Sequence, residues 1–427
     1  MKRLALAVSL AMLAPFGASA QTTDQLVKGA TDTSNVLNYG MGYNLQRFSP
    51  LTQINKDNAK NLVPVWNYSF ADDRSEESQP LVYQGVIYVT THAATMAVDV
   101  KSGKQIWKTK VEYPAETPRI VCCGIINRGA AIHEGKLFRT TLDANVIALD
   151  AKTGKEPWRQ KAADIKEGYS MTVAPLVADG VVLTGISGAE YGTRGFIDGW
   201  DPATGKHLWR THTIPTPDEP GGDTWKGDTC RPIETDVSKD AREGKKVVVY
   251  PSILGGKNWE PMSFNPQTGM AYANTLAFGG HKTEPVTYKA GEWYLGMDLT
   301  DLWDWPADNG PRGHLKAIDP LTGKTKWEVP SDIPRFSGVL STAGGVVFSG
   351  QLTGEFEAFD ANDGKKLWQF QTGSGIEGQP VTWQQDGVQY VAVTSGYGGV
   401  YSLFSGDERL ANVPAGGSLW VFAVNPQ

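Results

Sequence analysis

The sequence predicts an all-β chain folded as a β-propeller. Three observations predict it: a turn motif that recurs along the chain, a composition suited to strands, and two unpaired strands at opposite ends. The motif reads small residue, x, Asp or Asn, x, x, Thr/Ser/Asp, Gly, usually Lys, x, x, Trp. It appears as AVDVKSGKQIW, ALDAKTGKEPW, GWDPATGKHLW, AIDPLTGKTKW and AFDANDGKKLW, ending at Trp107, Trp158, Trp209, Trp327 and Trp368. A degenerate copy, SFNPQTGMAY, covers Ser263 to Tyr272. The composition, with 48 Gly, 14 Trp and 15 Tyr, suits short strands and tight turns rather than long helices.

Each copy is read as a hairpin. The Asp can hydrogen-bond its own turn, and the Gly supplies the positive φ of a tight loop. The Trp is a large apolar plate on the following strand. A unit of this size cannot bury such a face alone, so units must stack. Closing the stack into a ring of four-stranded blades removes long exposed edges, and an open solenoid is the alternative. The early segment LVPVWNYSF, around Trp66, and the tail GGSLWVFAV are single strands without a turn motif of their own. Together they can complete one sheet and close the ring. From Trp66 onward the motif tryptophans are spaced 41, 51, 51, 118 and 41 residues apart, so the stretch after Trp209 is unlike the others.

The chain opens MKRLALAVSLAMLAPFGASA: a basic start, an apolar run from Leu4 to Phe16, and small residues up to Ala20. This pattern predicts a cleaved export signal over 1–20 and a single mature domain over 21–427. The expected location is the periplasm, with no membrane-spanning segment. A formal net charge of −6 and the lack of basic runs argue against a nucleic-acid partner. The chain has three cysteines, two of them adjacent in RIVCCGIINRG. Neighbouring Cα atoms sit about 3.8 Å apart, closer than the roughly 4.4–6.8 Å usual in disulfides. From spacing alone the pair is either two buried thiols or a twisted vicinal bond.

Several longer stretches carry a resemblance: NLQRFSPLTQIN, EESQPLVYQGVIYVTT, CCGIINRG, SGAEYGTRGF, GDTWKGDT, PSILGGKNWEPMSFNP and GVLSTAGGVVFSG. From about Asn38 onward the chain resembles the pyrroloquinoline quinone (PQQ)-dependent alcohol dehydrogenases of the methanol/ethanol family. The resemblance implies an eight-bladed propeller that oxidises primary alcohols to aldehydes, with hydride passing to PQQ and electrons on to a periplasmic cytochrome c. It implies a Cys122–Cys123 disulfide packed on one quinone face. It also implies PQQ contacts from Glu77, Arg128, Thr172, Ser187, Gly188, Ala189, Asn258 and Trp259. Glu190 matches a carboxylate ligand of the Ca2+ or lanthanide ion that accompanies PQQ.

The pattern then breaks. After GDTWKGDT the family continues for well over a hundred residues before RPIE, whereas here Thr229 runs straight into Cys230-Arg231-Pro232. The family's catalytic Asp, in an Asp-Tyr-Asp motif, is absent, so no catalytic residue is assigned. An Asn metal ligand in a Gly-Asn-Pro motif, the Trp on the other quinone face and a basic residue near the quinone oxygens are missing with it. About six motifs remain where eight are expected, which predicts a strained or gapped ring. The unpaired Cys230 opens the way to a homodimer. Impaired catalysis is therefore expected. The competing readings are a non-catalytic PQQ-binding or scaffold propeller, and the product of a deletion or a faulty gene model.

Overall fold

The structure is a computed structural model. It describes residues 21–191, 193–213, 254–278 and 310–424 together with 236, 239–240, 243, 247–249, 252, 280–282, 287 and 289. The leader 1–20, the junction at 229/230 with Cys230, and the stretch GDTWKGDT lie outside the described residues.

The described residues form a β-propeller of six blade sheets, five of four strands and one of five. In chain order the blades span residues 81–110, 131–161, 176–212, 263–331, 340–371 and 381–424. The sixth has three strands from the C-terminal part, and its fourth is Leu62–Ser69, which pairs antiparallel with Ser418–Val424 from Leu62↔Val424 to Ser69↔Ser418. The two lone strands foreseen in the sequence therefore do close one sheet. A two-residue strand, Phe48–Ser49, adds in parallel to the edge of blade 5, and a small separate ladder joins Val247–Val249 to Gly280–Lys282.

The turn motif acts as its residues suggest. In blade 1, Asp99 Oδ1 accepts from the Ser102 amide at 2.8 Å and from its hydroxyl at 2.7 Å. The amide of Gly103, at φ 65°, donates to the Asp99 carbonyl. The same arrangement recurs at Asp150 and Asp201. The degenerate copy occupies a different place. It turns between the first two strands of blade 4, Ser263–Asn265 and Met270–Leu276, while AIDPLTGKTKW forms the third turn of that same blade. The long interval between Trp209 and Trp327 thus holds one complete blade among the described residues.

The tryptophans join the blades. The indole of Trp66 donates to the Val100 carbonyl of the next blade at 2.9 Å, Trp107 to Ala151 at 3.0 Å and Trp158 to Pro202 at 3.1 Å. Trp327 donates to Ala361 at 3.1 Å and Trp368 to Leu62 at 3.0 Å. In four of these junctions the ring also lies against the Gly of the next turn. A Cβ on Gly103, Gly154, Gly205 or Gly364 would fall 2.6–2.8 Å from the facing indole, which glycine alone avoids. The junction from blade 3 to blade 4 is different. Trp209 is 41% exposed, and among the described residues its indole reaches no carbonyl. On the other side Gly323 has nothing within 4 Å and Leu321 is 94% exposed. Among the described residues the Trp-to-carbonyl contact is thus made at five junctions and not at the one from blade 3 to blade 4.

These contacts make a prediction. Trp158→Ala removes a buried plate and is expected to destabilise the fold by about 3–5 kcal/mol, the usual range for a buried Trp. Trp209→Ala is expected to lower stability by less than half as much. Urea unfolding of both variants checks the difference, and equal losses would mean that Trp209 also locks a blade.

Candidate functional site

The loops that lead into the first strand of each blade meet on one side of the ring. Backbone bonds stitch the first three together. The Gln79 amide donates to the Arg128 carbonyl at 3.2 Å, and the Arg128 amide donates to the Thr172 carbonyl at 3.0 Å. Ser170 and Ser187 exchange two backbone bonds, at 3.2 and 2.8 Å. This places Glu77, Arg128, Thr172 and Ser187 side by side, although the chain separates them by up to 110 residues.

Arg128 is the centre of the cluster. Its Nε lies 2.9 Å from Glu77 Oε2, and its Nη1 donates to Thr172 Oγ1 at 2.8 Å. Its guanidinium carbon stands 4.6 Å from the centroid of the Trp259 ring, a cation–π contact from the loop leading into blade 4. Asn258, beside Trp259, turns back on its own loop, with Nδ2 donating to the Leu254 carbonyl at 3.0 Å. Arg128 keeps a second terminal nitrogen with no bond among the described residues, and its side chain is one-fifth exposed. A planar guanidinium held in this way is suited to a carboxylate.

A second group lies on the loops of blades 2 and 3. Cys122 and Cys123 are disulfide-bonded, with Cα atoms 3.8 Å apart, which resolves the alternatives left open by spacing. Cys123 has φ 69° and Gly124 φ 117°. Among the described residues one group of potential metal-binding side chains converges, Cys122, Cys123 and Glu190, with ligand atoms within 4.8 Å of one another. Glu190 sits in the short 3-10 turn Ala189–Tyr191. Gly188 opens that turn at φ 128°, and a Cβ there would meet the Gly168 carbonyl at 2.3 Å. A cavity of about 360 Å3 borders the disulfide, lined by Ser75, Cys123, Gly124, Tyr397 and Gly399 among others.

The structure also gathers, beside Glu77, three acids that sequence reasoning did not single out. Glu76, Glu77, Glu260 and Glu377 are each no more than 2% exposed. Burial pushes all four carboxyls above the ordinary value. Asp72 adds to the rise at Glu76, and Glu77 adds to it at Glu377. Arg128 partly offsets the rise at Glu77. Glu260 is pushed up to about 7, with Lys257 opposing. Lys257 Nζ lies 3.9 Å from Glu260 Oε2, and burial lowers the lysine in turn. A signal for Glu377 did exist in the sequence: GSGIEGQP sets one acid among small and apolar residues.

The family model described as "Glucose/ethanol/alcohol dehydrogenase, beta-propeller domain" of the PQQ class matches residues 37–241 and 231–391. The chain belongs to the PQQ-dependent alcohol dehydrogenase family. Among curated relatives it is similar to a quinoprotein ethanol dehydrogenase of Pseudomonas aeruginosa, 31% identical with 98% of this chain and 95% of the relative covered. It is also similar to a 1-butanol dehydrogenase (quinone) of Thauera butanivorans, 32% identical with 99% and 97% covered. Among solved structures, a europium-containing methanol dehydrogenase aligns with TM-score 0.83 at 25% identity, over 94% of this chain and all of the other. The alignment to the P. aeruginosa enzyme runs over 599 residues, against 427 in this chain, so that dehydrogenase carries residues without a counterpart here. The PQQ family model itself matches in two pieces that overlap at 231–241.

The buried acids set a pH dependence for this dehydrogenase fold. Each folded carboxyl holds its proton more tightly than the unfolded chain does. Unfolding therefore releases protons between the ordinary value of 4.5 and the raised native one. Stability from this source is intact below 4.5 and falls as pH rises, through about 7 for Glu260. Urea midpoints at pH 5 and pH 7.5 are expected to show the decline. Glu260→Gln is expected to flatten part of it.

Proposed function

We propose that this chain is an exported quinoprotein that binds PQQ between its blade lead-in loops and descends from an enzyme oxidising primary alcohols. The observation that carries the reading is Arg128, held by Glu77, Thr172 and Trp259 with one nitrogen left over, next to a vicinal disulfide. These residues suit a flat, anionic ligand. Arg128 would pair with a carboxylate of the cofactor. Glu77, Thr172, Ser187, Gly188, Ala189, Asn258 and Trp259 would border it, and the Cys122–Cys123 bond would form one wall. When bound, PQQ supplies the hydride acceptor.

The metal is less well provided for. The two sulfurs near Glu190 are bonded to each other, which leaves one carboxylate as a hard ligand in that group. Calcium takes about 6–8 oxygens, so Glu190 would hold a Ca2+ or lanthanide ion only weakly without oxygens from the cofactor.

The missing segment is placed at the 229/230 junction. The length of the alignment and the divided match around 231–241 support this. The family's base belongs to that segment, and losing a general base typically costs about 10²–10⁴-fold. This favours a second reading, a propeller that binds PQQ without turning over alcohol, whether a natural variant or a deletion product. In the first reading the substrate is a small primary alcohol, electrons pass to a cytochrome c, the location is the periplasm, and 21–427 is one domain. In the same reading Cys230 would join two copies of the chain as a homodimer.

Two experiments separate the readings. PQQ titrated into the purified protein, with Ca2+ or a light lanthanide, is expected to quench tryptophan fluorescence. Arg128→Ala is expected to weaken that binding about 10–100-fold, the worth of one charged hydrogen bond. Dye-linked ethanol oxidation by the loaded protein is expected at least about 100-fold below that of intact relatives. Turnover equal to theirs would overturn the claim of impaired catalysis.

A further inference from the structure

Glu377 is buried in the loop leading into blade 6, and nothing in the family motifs accounts for it. Its Oε2 accepts from the Ser75 hydroxyl at 2.9 Å. The backbone of Gly399 packs so tightly that a Cβ there would stand 2.1 Å from the same oxygen. The other oxygen, Oε1, is buried and receives no hydrogen bond from a donor among the described residues. Glu377 neighbours the Glu77 carboxyl, which in turn pairs with Arg128 at 2.9 Å. Ionising both neighbouring carboxyls is costly, because the two charges repel and both are removed from water. Glu77 has a guanidinium to support its charge. Glu377 has only a hydroxyl.

We propose that Glu377 carries a proton that it shares with Glu77, and that this proton makes the Arg128 site receptive to an anionic ligand. With the proton in place, the pair has one negative charge, which Arg128 balances. The surplus guanidinium nitrogen then faces a neutral environment and can take a carboxylate. Releasing the proton to solvent adds a second negative charge to the same pocket and repels the anion. The charged or titratable groups facing Glu377 agree on the sign. Glu77 and Glu260 both disfavour its ionisation, and Tyr397 is neutral at working pH. Arg128 acts on it through Glu77, and Lys257 is engaged by Glu260. Glu377 is thus a positioning residue: it touches Glu77 rather than the ligand. The second half of the proposal rests on the PQQ reading given above.

The test has two readouts. Infrared spectra of the ligand-free wild-type protein at neutral pH are expected to show the carbonyl stretch of a protonated carboxylic acid that disappears in Glu377→Gln. PQQ binding, followed by tryptophan quenching, is expected to weaken at least about tenfold as pH rises through the loss of that band, the change that one unit of linked proton affinity gives. In Glu377→Gln the affinity is expected to stay flat over the same range, while Glu260→Gln keeps the decline. Glu377→Leu is read in the same way should the glutamine variant fail to fold. A wild-type spectrum without the Glu377 band, or an undiminished decline in Glu377→Gln, overturns the proposal. Absence of PQQ binding at every pH overturns the cofactor reading instead, and the infrared band still decides the shared proton.

Discussion

The contact on which the molecule depends is a tryptophan plate seated on the Asp-Gly turn of the next blade. It does three things at once. The ring buries apolar area, the indole N–H finds a carbonyl, and the glycine lets the backbone come within van der Waals distance. A buried indole without an acceptor would carry a desolvation penalty of about 1–3 kcal/mol, so the carbonyl after the Asp is as necessary as the plate. Because five of the six plates sit on the blade that follows, the spacing between those blades is set by one repeated contact. That spacing in turn fixes where the lead-in loops meet.

The candidate site is a consequence of this register. Glu77 belongs to the loop before blade 1, Arg128 to that before blade 2, Thr172 to that before blade 3, Trp259 to that before blade 4 and Glu377 to that before blade 6. No single blade supplies enough to bind anything. The loop before blade 5 brings another buried guanidinium, Arg335, but Glu357 takes it up at 2.6 Å, and Lys366 holds the same carboxylate at 2.7 Å. Arg128 differs from Arg335 in exposure: its side chain is one-fifth exposed, whereas that of Arg335 is buried.

The repeat made the propeller legible, because Asp, Gly and Trp each have a geometric duty that survives in the sequence. The two single strands around Trp66 and Trp420 were legible for the same reason: an unpaired strand at each end needs a partner. SFNPQTGMAY was less informative. Its Asn and Gly make a turn as good as the others, but a turn motif does not say which pair of strands it joins, and here it joins the first two. The disulfide was beyond reach of spacing, since adjacency is compatible with either state. Glu377 was visible as an oddity in GSGIEGQP, yet its partner Glu77 lies 300 residues away. A pairing of that kind is set by ring closure, and no local pattern records it.

Charge accounting then limits what the site can accept. Glu77 raises both Glu260 and Glu377, and Glu260 raises Glu377, against one guanidinium and one lysine nearby. Were all three ionised, the pocket would be net negative and would reject an anion, even with Arg128 well placed. Were all three neutral, Arg128 would be an unpaired buried cation, which is costly in its own right. An intermediate state satisfies both conditions: Glu77 charged and paired with Arg128, and Glu377 neutral. In that state the leftover nitrogen of Arg128 is the one strong donor without an internal partner among these groups. The acids therefore define the charge of the ligand that the cation can receive, and Arg128 alone would not.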